Sequence, residues 1–367
     1  MKKIYILVVM AVVCCLFLAC SNKAQETYKE KEVNNLSSDQ NSVVQNNADE
    51  VSDEMKAFGI LGNSQYNMQT LGICCYDEKK CYIANLDGIY QLDYSSDSAK
   101  IIIPGTCYDI CSIGNWLVYI KSLYHSADNG SYLCLYNKST CVETALFEFT
   151  KNNNAKLLNT VNTKIYYCIN NGNGNETYSY DILSGENEFV CPEGKLVTET
   201  GIYYIKDQKS LTFRPFNFES EETIASGEYK PLFTLNNELY LIASDILYKI
   251  NLDTKEMETL LDNRRVSSVT PIRNGFAVLF DFTSLYLYDN QFNDFQKIIE
   301  VEDGDKIIGT PFPQIANGDI YFTFWPGLRI YKLEEGLTSY KELSRNDTID
   351  NFTTNIEPPI DSEQKTD

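Results

Sequence analysis

Short apolar runs recur along the middle of this chain, each closed by a polar turn. One run reads Lys80-Cys81-Tyr82-Ile83, then Leu117-Val118-Tyr119-Ile120, Ile165-Tyr166-Tyr167-Cys168 and Ile202-Tyr203-Tyr204-Ile205. It continues as Leu239-Tyr240-Leu241-Ile242, Phe276-Ala277-Val278-Leu279 and Ile320-Tyr321-Phe322-Thr323. The spacing averages about 40 residues, the period of a four-stranded propeller blade. Taken as the second strand of each unit, the run is usually followed by a third. Gly88-Ile89-Tyr90-Gln91-Leu92-Asp93, Ile246-Leu247-Tyr248-Lys249-Ile250-Asn251 and Leu328-Arg329-Ile330-Tyr331-Lys332-Leu333 are examples. A polar turn such as Leu252-Asp253-Thr254-Lys255 then precedes a shorter strand, Met257-Glu258-Thr259-Leu260-Leu261. First strands end in tight turns such as Asn274-Gly275 and Ala316-Asn317-Gly318-Asp319, where Gly and Asn tolerate positive φ.

The units lie near 69–105, 106–154, 155–193, 194–228, 229–265, 266–305 and 306–346. This count predicts an all-β, seven-bladed propeller. Six blades is the alternative, because irregular units are easily miscounted. The fourth unit reads as the least regular, with Pro215 interrupting Leu211-Thr212-Phe213-Arg214-Pro215-Phe216 as in an outer strand. No part of 69–346 has helical periodicity. The 26 Tyr and 18 Phe, against 2 Trp and 5 Met, also favour sheet. Radial repetition removes long open sheet edges.

The flanks have another texture. Asn34 to Asn41 and Gln45 to Glu50 are polar, with little apolar surface to offset chain entropy, so residues 20–64 read as a disordered tether. Residues 348–367, with Pro358-Pro359 and acidic side chains, read as a disordered tail. The chain opens on Met1-Lys2-Lys3 and an apolar run from Ile4 to Phe17, too short for a comfortable membrane span but suited to export. The run ends Leu16-Phe17-Leu18-Ala19-Cys20. This ending resembles the lipobox of bacterial lipoproteins. Ala19 and Cys20 match, whereas Phe17 stands where Leu is usual. The resemblance implies cleavage after residue 19 and acylation of Cys20, with two or three acyl chains holding the protein on a membrane. An ordinary secretory signal or an uncleaved anchor helix are the alternatives. All three place the rest of the chain outside the cytoplasm.

The repeat itself resembles bacterial propellers of the DUF5050 type, through Ile-Tyr-Tyr followed by Gly-Ile-Tyr-x-Leu. It is similar to the wider YWTD and TolB-like group. The resemblance spans roughly 69–346, implies architecture, and supplies no catalytic motif.

The formal charge is −20, and loss of Lys2 and Lys3 with residues 1–19 takes it to −22. Phosphate polymers are repelled by such a surface, so nucleic acid is not an expected partner. Nine cysteines follow Cys20, all between Cys74 and Cys191, and none forms a C-x-x-C pair. An odd count cannot pair fully within one chain, so most read as small buried hydrophobes. Cys107 and Cys111, four apart, are expected on one face of a strand.

Candidate chemistry is sparse. Loops between second and third strands and between blades are the longest: Lys121 to Ser131, Thr150 to Ala155, Asn170 to Glu176 and Glu300 to Lys306. Function on a rigid scaffold gathers on such elaborated loops. Tyr124 and His125, the only histidine, lie in the first. Phe324 and Trp325 follow the second strand of the last unit at the same face, where an indole can stack on a sugar ring or pack between blades. Glu302, Asp303 and Asp305 offer oxygen ligands to a hard cation, without EF-hand spacing. There is no Gly-x-Ser-x-Gly elbow and no His-Glu-x-x-His site. No cofactor is expected. Two function classes follow: a membrane-anchored propeller that binds a glycan, peptide or protein, and a carboxylate-dependent hydrolase or lyase acting on extracellular polysaccharide.

Overall fold

A computed structural model of the chain describes residues 61–355, apart from 78–79, 95, 123–129, 151–153, 173, 218–219, 294, 300–309, 317, 326–328, 334–338 and 350–351, and apart from the side chains of 324 and 325. The described chain forms seven antiparallel sheets, one for each predicted unit. They span residues 74–104, 107–149, 155–192, 194–226, 230–261, 266–299 and 310–342, here blades 1 to 7. The inner strand of each blade neighbours that of the next, and blade 7 returns to blade 1. Between blades 5 and 6 the contact is carried by Leu232 and Phe233 packing with Val266 and Val269. The fold is a seven-bladed β-propeller.

The period-two rule explains why the second strands are apolar throughout rather than alternating. Successive side chains point to opposite faces of a sheet, and in a ring both faces are covered by neighbours. In blade 1, Cys81 and Ile83 join Tyr321 of blade 7, while Tyr82 and Ala84 join Leu117 and Tyr119 of blade 2. In blade 3, Ile165 and Tyr167 face blade 2, and Tyr166 and Cys168 face blade 4. Seven apolar clusters result, one at each junction between blades. The Ile-Tyr-Tyr pattern is therefore the signature of a strand buried on both sides.

Local geometry matches the turn chemistry. Asn236 and Asn237 both have positive φ in the turn after the first strand of blade 5. Gly275 has φ +156°, and a Cβ there would stand 1.8 Å from the carbonyl oxygen of Tyr288. In blades 1 to 6 a bulge shifts the register between the third and fourth strands near the start of the third. Such bulges sharpen the strand twist.

Four expectations are corrected. Cys107 and Cys111 lie on opposite faces, because a bulge around Asp109 (φ 53°) inserts an extra residue and breaks the alternation. Cys107 consequently faces blade 1 and Cys111 faces blade 3. Blade 4 is complete, with Pro215 as the last residue of its third strand, and the irregular blade is the seventh, whose first strand is split into Thr310–Pro311 and Gln314–Ala316. At the N-terminal side the propeller begins before residue 65. At the C-terminal side, residues beyond 347 are partly built in.

The N-terminal addition fills the central channel. Leu61 bridges to Val161, Gly62 N–H donates to the Thr160 carbonyl at 3.0 Å, and a short helix, α1, spans Gln65–Gln69. The channel-facing edges of inner strands carry backbone groups that need partners. Asn and Gln side chains of this plug supply them. Asn63 Nδ2 donates to the carbonyls of Cys74 (2.8 Å) and Ile110 (2.7 Å), and its N–H donates to Asn159 Oδ1 (3.1 Å). Asn67 Nδ2 donates to the Ile315 carbonyl and Asn67 Oδ1 accepts from Ile315 N–H, both at 2.9 Å. Gln65 Oε1 accepts from Thr234 N–H at 2.7 Å, and Gln69 Nε2 donates to the Lys195 carbonyl at 2.6 Å. Blade 6 is reached by packing of α1 against Val266–Ile272. One segment thus ties together all seven blades.

The C-terminal addition is a strap. Ser344–Asn346 runs parallel to the outer strand of blade 1, and Thr353–Thr354 parallel to that of blade 2. Glu143, fully buried, accepts from Tyr119 OH, Lys121 Nζ and Thr354 Oγ1. Phe352 stacks on Tyr136 at 6.4 Å. Each blade takes its own strands from one continuous stretch of chain, and the C-terminal strands are added as fifth strands outside blades 1 and 2. Plug and strap therefore do the closing that a shared blade would otherwise do.

Candidate functional site

Antiparallel connectivity gives the ring two unlike faces. The loop face carries the connections from second to third strand and from blade to blade. The turn face carries the remaining turns. The plug enters at the turn face, where Leu61 meets the end of the inner strand of blade 3, and leaves at the loop face, where Gly72 leads into Cys74–Tyr76. Each mouth of the channel is thereby shaped by the plug.

At the turn-face mouth, Leu61 to Tyr66 together with Tyr76, Phe233, Leu235 and Pro271 line a recess of about 460 Å³. Burial, reinforced by Tyr76, pushes the Tyr66 hydroxyl up to about 12, so it stays protonated. A second recess of about 400 Å³ lies between blades 4 and 5 on the same face, under Glu199, Asn236, Asp253 and Lys255.

At the loop-face mouth the floor is the end of the plug. Leu71 holds φ 79° and is 37% exposed, unusual on both counts for a leucine. Its carbonyl accepts from Asp109 N–H at 3.4 Å. Asp109 is buried, and desolvation lifts its carboxyl to about 7 despite the opposing charge of Lys156. Lys156, Lys195 and Lys230 stand on the inner strands of blades 3, 4 and 5 at this same end. Lys195 pairs with Glu193 at 2.6 Å.

Of the residues singled out from sequence, Cys20, Tyr124, His125, Glu302, Asp303 and Asp305 lie outside the described residues. Phe324 and Trp325 are not past the second strand of blade 7 but at its end: the strand runs Asp319–Trp325, and they pair with Pro311 and Thr310 at the loop face. Among the described residues no group of three His, Cys, Asp or Glu is placed to hold a metal ion. The nine described cysteines are all free, eight of them buried and Cys141 half-buried. Burial pushes the Cys191 thiol up to about 12, and it raises those of Cys75, Cys107, Cys111 and Cys134 too, so these side chains pack as neutral thiols.

The plug and the lysines of the loop-face mouth were missed from sequence. Asn63-Ser64-Gln65-Tyr66-Asn67-Met68-Gln69 has the same polar composition as the tether before it. The lysines are 39 and 35 residues apart, about one blade each, and only the blade register brings them together.

No family model matches the chain, and no curated protein matches it. Solved structures do. A prolyl endopeptidase is similar at TM-score 0.51 and 9% identity, over 86% of this chain and 56% of that one. The chain thus spans little more than half of that enzyme's length. BamB from Moraxella catarrhalis is similar at TM-score 0.43 and 14% identity, over 71% of this chain and 80% of that one. TolB from Acinetobacter baumannii follows at 0.41 and 7%, over 75% and 79%. At these identities the likeness concerns the fold alone.

Proposed function

We propose that the protein is a membrane-anchored, extracytoplasmic binding propeller, held through lipid on Cys20 and presenting its loop face to a glycan, peptide or protein partner. The observation that carries this reading is the path of the plug. The described chain enters the ring at the turn face, at Leu61 and Gly62, so the loop face is not the one through which the N-terminal segment arrives. The end of the second strand of blade 7, with Trp325, belongs to that loop face. A ring tied through its centre and strapped at its rim is also a rigid support for loops, which is what recognition with little reorganisation requires.

The test is a glycan and peptide array probed with the Cys20→Ser chain. Retention of one ligand class is expected. Turnover of a polysaccharide, with no ligand retained, overturns the reading in favour of the carboxylate-dependent enzyme. That second reading has one described group in its favour, Asp109, whose raised carboxyl has the proton affinity a general acid needs near neutral pH. Loss of such turnover in Asp109→Asn would establish it.

A further inference from the structure

The three lysines at the loop-face mouth form an arc. Lys156 is the second residue of Ala155–Val161, Lys195 the second of Gly194–Val197, and Lys230 the first of Lys230–Leu235. These inner strands follow one another around the channel. The equivalent strand starts of blades 6 and 1, Val266 and Cys74, carry no charge. Positive charge is therefore gathered on one side of the mouth.

Such a gathering runs against the rest of the molecule. The chain has 51 acidic and 31 basic residues. Most of the other described lysines have a carboxylate beside them, among them Lys121 with Glu143, Lys138 with Asp77, Lys206 with Glu221, Lys249 with Glu238 and Lys332 with Asp319. Lys156 and Lys230 make no ion pair among the described residues. Among the described residues, Glu193, on Lys195, and Asp109, buried below Lys156 with its carboxyl raised to about 7, stand against the three cations.

We propose that Lys156, Lys195 and Lys230 bind a multiply charged oxyanion group, carboxylate or phosphate, of the ligand that the loop face receives. The inference rests on the binding reading above and gives it a chemistry. Lys156 and Lys230 are exposed at the mouth and Lys195 is half-buried. The Lys230 side chain keeps exposed surface, yet enough protein surrounds it that desolvation, followed by the charges of Lys156 and Lys195, lowers it to about 8. A cation that faces like charges is stabilised when an anion arrives. Gln69 of the plug braces the arc from below, by donating to the Lys195 carbonyl at 2.6 Å. Lysines present rotatable point charges, so the arc selects for charge and size rather than for a planar group.

The test uses isothermal titration calorimetry of the Cys20→Ser chain with inorganic pyrophosphate and with citrate. Saturable binding of at least one is expected, weakened about tenfold or more by Lys156→Gln and by Lys230→Gln, and unchanged by Lys164→Gln at the turn face. Preference for pyrophosphate assigns a phosphate ligand, and preference for citrate a carboxylate one. Melting temperatures of the variants are recorded alongside; Lys230→Gln, which removes a desolvated charge, should hold or rise. Failure of both probes to bind at millimolar concentration overturns the proposal, as does equal binding by the lysine variants. An array ligand retained equally by wild type and Lys156→Gln/Lys230→Gln would leave the binding reading standing and sink this one.

Discussion

Asn67→Ala is the most direct probe of how this ring is held together. Asn67 is fully buried on α1, and its side-chain amide completes both backbone groups of Ile315 on the inner strand of blade 7. It also donates to the Cys74 carbonyl at 3.1 Å, but that oxygen keeps Asn63 Nδ2 at 2.8 Å as a second donor. Truncation therefore strands two buried polar groups, the Ile315 N–H and C=O. Each costs about 1–3 kcal/mol, and the centre of the channel has no room for easy repacking around Met68 and Gln314. The sum is about 4 kcal/mol. For a domain of this size roughly 2 °C is lost per kcal/mol, so the melting temperature should fall by about 8 °C in differential scanning calorimetry. Amide exchange of the peptide around Gln314–Ala316 should accelerate. Asn290→Ala, on an exposed turn, should stay within about 0.5 kcal/mol of wild type. A fall below about 2 °C for Asn67→Ala, with unchanged exchange at Ile315, would show that the ring closes without its plug.

The strap should matter comparably: Glu143→Ala leaves Lys121 and Tyr119 facing an empty buried site and should cost about 3–5 kcal/mol, read as a shift of the urea midpoint. Asp109 gives a pH signature. Its carboxyl holds a proton up to about pH 7 when folded but only to about 4 when unfolded, so the folded state binds more protons between those values. Stability should therefore fall as pH rises from about 4 to 7, by on the order of 4 kcal/mol from this group, and Asp109→Asn should flatten that limb of the curve. A fatty-acid probe should label wild-type cells and not Cys20→Ser; equal labelling would end the lipid-anchor proposal. Trp325→Ala should weaken retention of an array ligand while barely moving the melting temperature, whereas a loss of about 3–5 kcal/mol with unchanged retention would make Trp325 a packing residue.

The blade count was legible because it is written in a local signal repeated seven times. A strand covered on both faces must be apolar at every position, and each Ile-Tyr-Tyr run states that requirement without reference to the rest of the chain. Turns were legible for the same reason: the backbone at Gly275 admits no Cβ, whatever the fold around it. Parity along a strand was not. Spacing predicts one face for Cys107 and Cys111, but the bulge at Asp109 is set by the plug against which that strand packs, through the Leu71 carbonyl and the Gly72 backbone.

What the sequence by itself determined is thus the repeating unit and the polar character of the ends, with seven blades expected and six as the alternative. What only the tertiary structure decided is the use of those ends. Asn63 and Asn67 have the composition of a solvated tether, and they become structural only because a closed ring leaves a row of unpaired backbone groups facing its centre. Phe352 and Thr354 look like tail until the outer edge of blade 2 offers them a place to pair. Lys156, Lys195 and Lys230 are ordinary lysines one blade apart until the ring turns that distance into adjacency. Local patterning specifies strands because each strand meets its requirement nearby. Plug, strap and charged arc depend on the position of all seven blades at once, and no stretch of sequence carries that.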